Sequence, residues 1–186
     1  MAELVSELIL SLDGFARGTR SPGYYGFDGP EFGRWLAEKS NQPHRNLMGR
    51  TTYELLGGLP QEARDESHER MARNPGWVAS TTLARVDWPG LEIVRSDLVD
   101  HVRAWKEDGG AEIRVLGSLS IVRQLVAADL VDRLRLILCP LVLPETGAEP
   151  AFAGYPDLQL ELLGTRTLDG RVLVLDYRPA GPPPTA

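Results

Sequence analysis

The chain holds a single cysteine, Cys139, among its 186 residues. One cysteine cannot close an internal disulfide, which excludes a stapled scaffold and fits a reducing, cytoplasmic compartment. Nor are its surroundings those of a nucleophile. Cys139 lies in an apolar run beside Pro140 with no histidine near it, and it reads as a small core residue. Positive charge is scarce. Lys and Arg total 20 against 26 Asp and Glu, for a net charge of −6. Without a basic cluster, neither nucleic acid nor an anionic membrane surface is an expected partner. No apolar run is long enough to span a membrane; the one from Leu8 to Leu12 is short and follows Glu3 and Glu7. No segment repeats at a fixed period. His44, His68 and His101 are scattered and suggest no metal site. Neither G-x-G-x-x-G nor a Walker A loop is present.

What the chain does have is apolar content, 42%, enough for one well-buried α/β domain. The most informative stretch runs from Ala111 to Leu143. Ile113, Val115 and Leu116 make a short strand. Gly117-Ser118 is a tight turn, with Ser118 suited to cap a helix. Leu119, Val122, Leu125 and Val126 recur at helical spacing, and Val131, Leu134, Leu136 and Leu138 form a second strand ending at Pro140. Strand, glycine turn, helix and strand predict two parallel strands with a right-handed crossover. A helix start behind a glycine offers free N–H groups and a positive dipole end, a seat for phosphate; the same turn also serves as a plain tight connection.

The remaining elements follow in order. Leu4 to Leu12 reads as the first strand, closed by Ser11-Leu12-Asp13-Gly14. Asp13 has two readings, an Asx-turn with its own loop or a side chain pointing into a site. Arg17 to Pro30, with four glycines and two prolines, reads as a loop. Its Tyr24, Tyr25 and Phe27 either fold back over the core or wall a pocket for a flat ligand. Glu31 to Ser40 is a helix behind Pro30, with Phe32, Trp35 and Leu36 on one face. Asn46 to Met48 is a strand running into Gly49-Arg50-Thr51-Thr52, where a second helix opens. Arg50 suits bidentate phosphate contacts, and the two threonines can donate to phosphate oxygens or simply cap the helix. Gly57 to Pro75 is a solvated excursion with helix around Glu66 to Ala72.

Trp77 to Ser80 is a third strand, with the hydroxyls of Thr81 and Thr82 at its carboxyl end, where open α/β sheets bind ligands. Leu91 to Val94 is a fourth. Ser96 is the expected cap of a helix striped by Leu98, Val99, Val102 and Trp105 and closed by Gly109-Gly110. Pro144 to Pro150 reads as a loop. Leu158-Leu160-Leu162 and Val172-Val174 alternate on either side of Asp169-Gly170, a β-hairpin. The Pro-rich tail over 179–186 is expected to be disordered.

These motifs coincide in order: Ser11-Leu12-Asp13-Gly14, Gly49-Arg50-Thr51-Thr52-Tyr53-Glu54, Ser80-Thr81-Thr82-Leu83, Leu116-Gly117-Ser118, and Leu130 to Leu136 ahead of Pro140 to Leu143. In that order and spacing the chain resembles the dihydrofolate-reductase-like superfamily. More narrowly it resembles stand-alone relatives of the reductase domain of the riboflavin-biosynthesis deaminase-reductase. The resemblance implies a three-layer α/β domain over residues 1–178, with a central, mostly parallel sheet of about eight strands and an antiparallel C-terminal hairpin. It implies NADPH as cofactor. Gly49, Arg50, Thr51 and Thr52 would meet its phosphates, Ser80 and Thr81 the adenosine side with its 2′-phosphate, and Gly117, Ser118 and Leu119 the pyrophosphate. Ser11 to Gly14 would lie beside the nicotinamide.

It implies homodimers and a reductase acting on a small pterin-like or riboflavin-precursor-like C=N or C=O acceptor. Asp13, Asp28 and Glu31 are the candidate carboxylates at the substrate end. The chain departs from the family pattern in its bulky Leu119 and in the Pro144-Glu145-Thr146-Gly147 loop. It carries neither H-x-E nor C-x-x-C, so zinc deamination is excluded. Two rival readings stand: a nucleotide- or ligand-binding module without turnover, and a flavin protein whose tyrosines and tryptophans stack on the ring.

Overall fold

Alternation of apolar residues builds the centre of the molecule. In the computed structural model, which describes residues 1–21, 23–64 and 66–184, β1 runs Leu4–Ser11 with Leu4, Leu8 and Leu10 on one side of the sheet and Val5 and Ile9 on the other. There follow β2 (Phe15–Gly18), α1 (Pro30–Ser40), β3 (His44–Gly49), α2 (Arg50–Gly57) and α3 (Glu66–Arg73). After them come β4 (Gly76–Ala79), β5 (Leu91–Val94), α4 (Leu98–Asp108), β6 (Glu112–Gly117) and α5 (Leu119–Ala127). The chain closes with β7 (Arg133–Cys139), β8 (Gly147–Pro150), β9 (Leu160–Leu168) and β10 (Val172–Pro179).

Eight of these strands form one sheet in the order β5-β4-β3-β6-β1-β7-β10-β9. The first six are parallel; β10 runs antiparallel to β7 and to β9. This is the mostly parallel sheet with a C-terminal hairpin that the resemblance implied. The unit β6-α5-β7 does hold two parallel strands, but they are not neighbours, because β1 lies between them and pairs with both.

The sheet has two packed sides. On one, Ile121, Val122, Leu125 and Val126 of α5 bury against Leu8, Leu10, Leu134 and Leu136. On the other, Phe32 and Trp35 of α1 bury against Ile137, Leu168, Val172 and Val174. Each fully buried Leu, Ile or Phe contributes about 1.5–3 kcal/mol. The α1 side also carries charge. Arg135, only 1% exposed, bridges Glu7 (2.7 Å) and Asp176 (2.8 Å), and Arg114 bridges Glu7 (3.2 Å) and Glu112 (2.7 Å). With every guanidinium paired the cluster is tolerated; removing one partner would cost about 3–5 kcal/mol.

Four local expectations need correction. Residues 17–18 and 147–150, expected in loops, belong to β2 and β8, which pair in a two-stranded antiparallel sheet. The residue at the N-cap of α4 is Asp97, in a left-handed conformation, rather than Ser96. Ser118 does occupy the N-cap of α5 but makes no side-chain capping bond there. The tail does not begin at Pro179: that residue ends β10, and the chain stays tied through Gly181, because Gln159 donates to the Gly181 carbonyl and accepts from the Ala180 N–H, both at 2.8 Å. Residues 185–186 of the expected tail lie outside the described residues.

Candidate active site

Parallel strands place their carboxyl ends on one edge, and every candidate residue lies along that edge. From the outside inward come Ser80 after β4, Gly49 after β3, Gly117 at the end of β6, Ser11–Gly14 after β1 and Pro140–Leu143 after β7. Last comes the Asp169-Gly170 turn of the hairpin, whose β10 opens opposite Leu138.

Two helices start side by side near the middle. Gly49 is the N-cap of α2 and Ser118 that of α5, and neither helix has a side-chain cap. Among the described residues no side chain accepts from the opening N–H groups of either helix, which lie at this edge. The two turns lie side by side: a Cβ on Gly49 would meet the Ser118 hydroxyl oxygen at 2.9 Å, and one on Gly117 would meet Thr52 Oγ1 at 2.9 Å. Gly117 also has φ +123°, and the Gly117–Ser118 peptide is cis. At Gly117 the backbone conformation itself calls for glycine; at Gly49 a side chain would have to displace the Ser118 hydroxyl. Ser118 Oγ and Ser120 Oγ share a hydrogen bond of 2.7 Å. Ser120 was not among the expected residues, although a second hydroxyl two positions after Ser118 was a legible signal.

Arg50 and Thr51 are exposed at the start of α2 and Thr52 is half-buried. Arg50 meets Glu54 at 3.5 Å, both about half exposed, a loose pair worth little that leaves the guanidinium free to reach the edge. The bulky Leu119 is accommodated because its side chain packs into the α5-side core. Only its backbone is left at the turn. One strand out, Ser80 Oγ accepts from the Thr82 N–H (3.2 Å) and the Leu83 N–H (2.9 Å). That turn presents Thr81 to solvent. The structure therefore gathers Gly49, Arg50, Thr51, Thr52, Gly117, Ser118 and Leu119 at one cradle, with Ser80 and Thr81 on its outer flank.

The three carboxylates fall elsewhere along the edge. Asp13 accepts from Ser11 Oγ (2.6 Å) and from the Leu143 N–H (2.7 Å). The Ser11 hydrogen bond is the main reason its carboxyl lies below the usual 3.8. Asp13 thus ties the end of β1 to the loop after β7. Glu31 accepts the Asp169 N–H, while Asp169 Oδ1 and Oδ2 accept the Glu31 and Phe32 N–H groups at 2.9 and 3.0 Å. The N-terminus of α1 is so filled by this carboxylate that a Cβ on its N-cap Gly29 would collide with it. Asp28 is exposed.

The aromatic loop folds back over the core. Tyr24 packs edge-on against Phe32 at 5.2 Å, and Tyr25 Oη donates to the Phe15 carbonyl at 2.6 Å. Burial first, then nearby Cys139, raises the Tyr25 phenol to about 12, so it stays protonated. Burial likewise raises the Cys139 thiol to about 11.

The sequence profile of the RibD C-terminal domain matches residues 2–174. An uncharacterized Bacillus subtilis protein, YyaP, is 24% identical over 180 residues, covering 94% of this chain and 93% of its own. A Shewanella sp. PV-4 protein named for riboflavin biosynthesis superposes with a TM-score of 0.71 at 19% identity, covering 97% of this chain and all of that one. A pyrimidine reductase-like protein of Corynebacterium diphtheriae superposes with a TM-score of 0.67 at 15% identity, covering 97% and 92%. The Thermotoga maritima deaminase/5-amino-6-(5-phosphoribosylamino)uracil reductase gives 0.65 at 14% identity; 96% of this chain spans 57% of that one. By its match over nearly the whole sequence, and with the fold to go with it, the chain belongs to the RibD C-terminal domain family.

Proposed function

We propose that the chain is an NADPH-dependent reductase of a small molecule carrying a C=N or C=O bond. The observation that supports this most is the pair of uncapped helix starts at Gly49 and Ser118, close enough that a Cβ on Gly49 would meet the Ser118 hydroxyl at 2.9 Å. Adjacent N-termini with free N–H groups suit a pyrophosphate. Arg50 and the hydroxyls of Thr51 and Thr52 add donors on one side, and those of Ser118 and Ser120 on the other. Ser80 and Thr81 stand where the adenosine end of a dinucleotide lying across β6, β3 and β4 would reach. These residues fit the cofactor.

When bound, NADPH supplies the hydride. The chain supplies orientation. Gly49 and Gly117 let the phosphates approach the backbone, Arg50 compensates their charge, and the Asp13–Leu143 tie fixes the β1 and β7 loops that flank the nicotinamide end. Asp28, exposed at the approach to α1, makes no hydrogen bond or ion pair among the described residues and is the candidate to hold a substrate N–H. The single reduced-state Cys139 fits a cytoplasmic setting.

A second reading, ligand binding without turnover, draws on one observation: Asp13 and Glu31 already accept structural hydrogen bonds, which leaves few groups to deliver a proton. Loss of NADPH absorbance in the presence of dihydropterins or pyrimidine precursors of riboflavin tests the choice. Oxidation with one acceptor class supports the reductase. NADPH binding with no turnover across both classes favours the second reading, and no NADPH binding removes the reductase and leaves the second reading with a different ligand.

A further inference from the structure

Residues 151–159, between β8 and β9, form turns and irregular chain on the α5 side of the sheet, where Ala151, Tyr155 and Leu158 join the cluster of Ile121, Leu125 and Leu134. A cavity of about 340 Å³ opens there, lined by Leu134, Phe152, Tyr155, Leu158 and Leu160, with the exposed Asp157 beside them. Small-molecule sites begin near this size and share its mostly apolar lining. Two polar atoms at this place are buried and have no hydrogen-bond partner among the described residues, Tyr155 Oη and Arg123 Nε. Arg123 reaches the turn from α5. A Cβ on Gly154, which has φ +76°, would meet its Cδ and Nε at 3.0 Å. Arg70 and Arg133 also leave Nε without a partner, but each holds a carboxylate through another nitrogen. Arg123 holds none among the described residues. A half-buried guanidinium beside a buried hydroxyl, both unpaired, costs stability unless something else supplies the acceptor.

We propose that this cavity binds a small aromatic carboxylate, its carboxylate held by Arg123 and Tyr155 and its ring lodged among Leu134, Phe152, Leu158 and Leu160. The donors set the charge of the ligand. A guanidinium only donates, and a carboxylate is the acceptor whose geometry and charge match it. Burial raises the Tyr155 phenol to about 12, against the pull of Arg123, so the hydroxyl keeps its proton and also donates. Asp157 sets an upper limit. Its negative charge beside the cavity works against a dianion such as a phosphate monoester and leaves a monoanion favoured. The apolar walls set the body. Phe152 and Tyr155 meet edge-on, with centroids 5.7 Å apart, and Phe152 is 43% exposed, which leaves ring surface for a third aromatic group. A cavity of this volume takes a single ring with a short side chain. Arg123 lies about 7.5 Å further along α5 than Ser118, so this place is separate from the cradle, and the proposal does not rest on the reductase reading.

Calorimetric titration of the full chain with benzoate, benzyl alcohol and inorganic phosphate tests the proposal. Benzoate should bind one-to-one with a Kd of about 1 mM or tighter. Benzyl alcohol, which keeps the ring without the charge, and phosphate, which keeps charge without the ring, should each bind at least about 10-fold more weakly. Arg123→Gln should weaken benzoate by about 10-fold or more. It should leave the melting temperature of the free protein unchanged or higher, because the group removed has no partner. Tyr155→Phe keeps the ring and should weaken benzoate by about 5-fold; it serves as the test if Arg123→Gln does not fold. No saturation below about 10 mM benzoate, equal binding of benzyl alcohol, or unchanged affinity in both variants overturns the proposal. So does a loss of benzoate binding in Arg50→Ala with Arg123→Gln unaffected, which would place the carboxylate at the cradle instead.

Discussion

Helices α1, α2 and α5 all begin at the same edge of the sheet, and they treat their first N–H groups in opposite ways. At α1 the Asp169 carboxylate accepts from Glu31 and Phe32, and Glu31 returns the favour to the Asp169 N–H. At α2 and α5 no side chain among the described residues does this, although serine and threonines stand in place to do it. The same physical demand, acceptors for orphan donors, is met inside the protein at one site and left for a ligand at two others. The closed start is a structural latch between α1 and the hairpin. The open starts form the cradle.

Substitutions at the two kinds of helix start should separate these roles. The largest effect is expected from Gly117→Val. Its side chain meets Thr52 at a φ that L residues rarely adopt, so NADPH affinity should fall by more than about 100-fold and stability by about 1–3 kcal/mol. Calorimetric titration and thermal melting read the two. Arg50→Ala should weaken NADPH by about 10-fold, the scale of one charged hydrogen bond, with the melting temperature unchanged. Asp169→Ala should do the reverse. It removes the cap of α1 and costs about 1–2 kcal/mol in denaturant unfolding, while nucleotide affinity stays as it was.

The smallest effect concerns pH. Asp13 ties the closed side of the edge and its carboxyl is held below 3.8, chiefly by Ser11. Its stabilisation is therefore complete above the unfolded-state value and is lost as pH falls through the lowered native one. Asp13→Asn should flatten that acid limb of the stability curve.

Much of this was legible in the residues, because much of it is local. Leu91 to Val94 forms the strand that its apolar run announced, and Asp169-Gly170 turns the hairpin with positive φ at both positions, as an Asp-Gly pair does. Gly49 and Gly117 stood out as glycines at strand-to-helix turns. What escaped was non-local. The β2–β8 pairing joins two four-residue strands more than a hundred positions apart, with too few residues in either for a period to show. Asp169 is a turn residue to its neighbours and a helix cap only to residues 137 and 138 positions away. Glu31 and Asp13 drew notice as carboxylates near a crevice. Their partners, the Asp169 N–H in the hairpin turn and the Leu143 N–H in the loop after β7, are distant in sequence, so only the folded chain shows them tied to the backbone.

The most direct test is a calorimetric titration of the wild-type chain with NADPH, repeated on Arg50→Ala and Asp169→Ala. Saturable one-to-one binding, weakened about 10-fold by the first substitution and untouched by the second, is the predicted result. Absence of binding to the wild-type chain, or equal loss in both variants, would contradict the assignment of the open helix starts as the cofactor cradle.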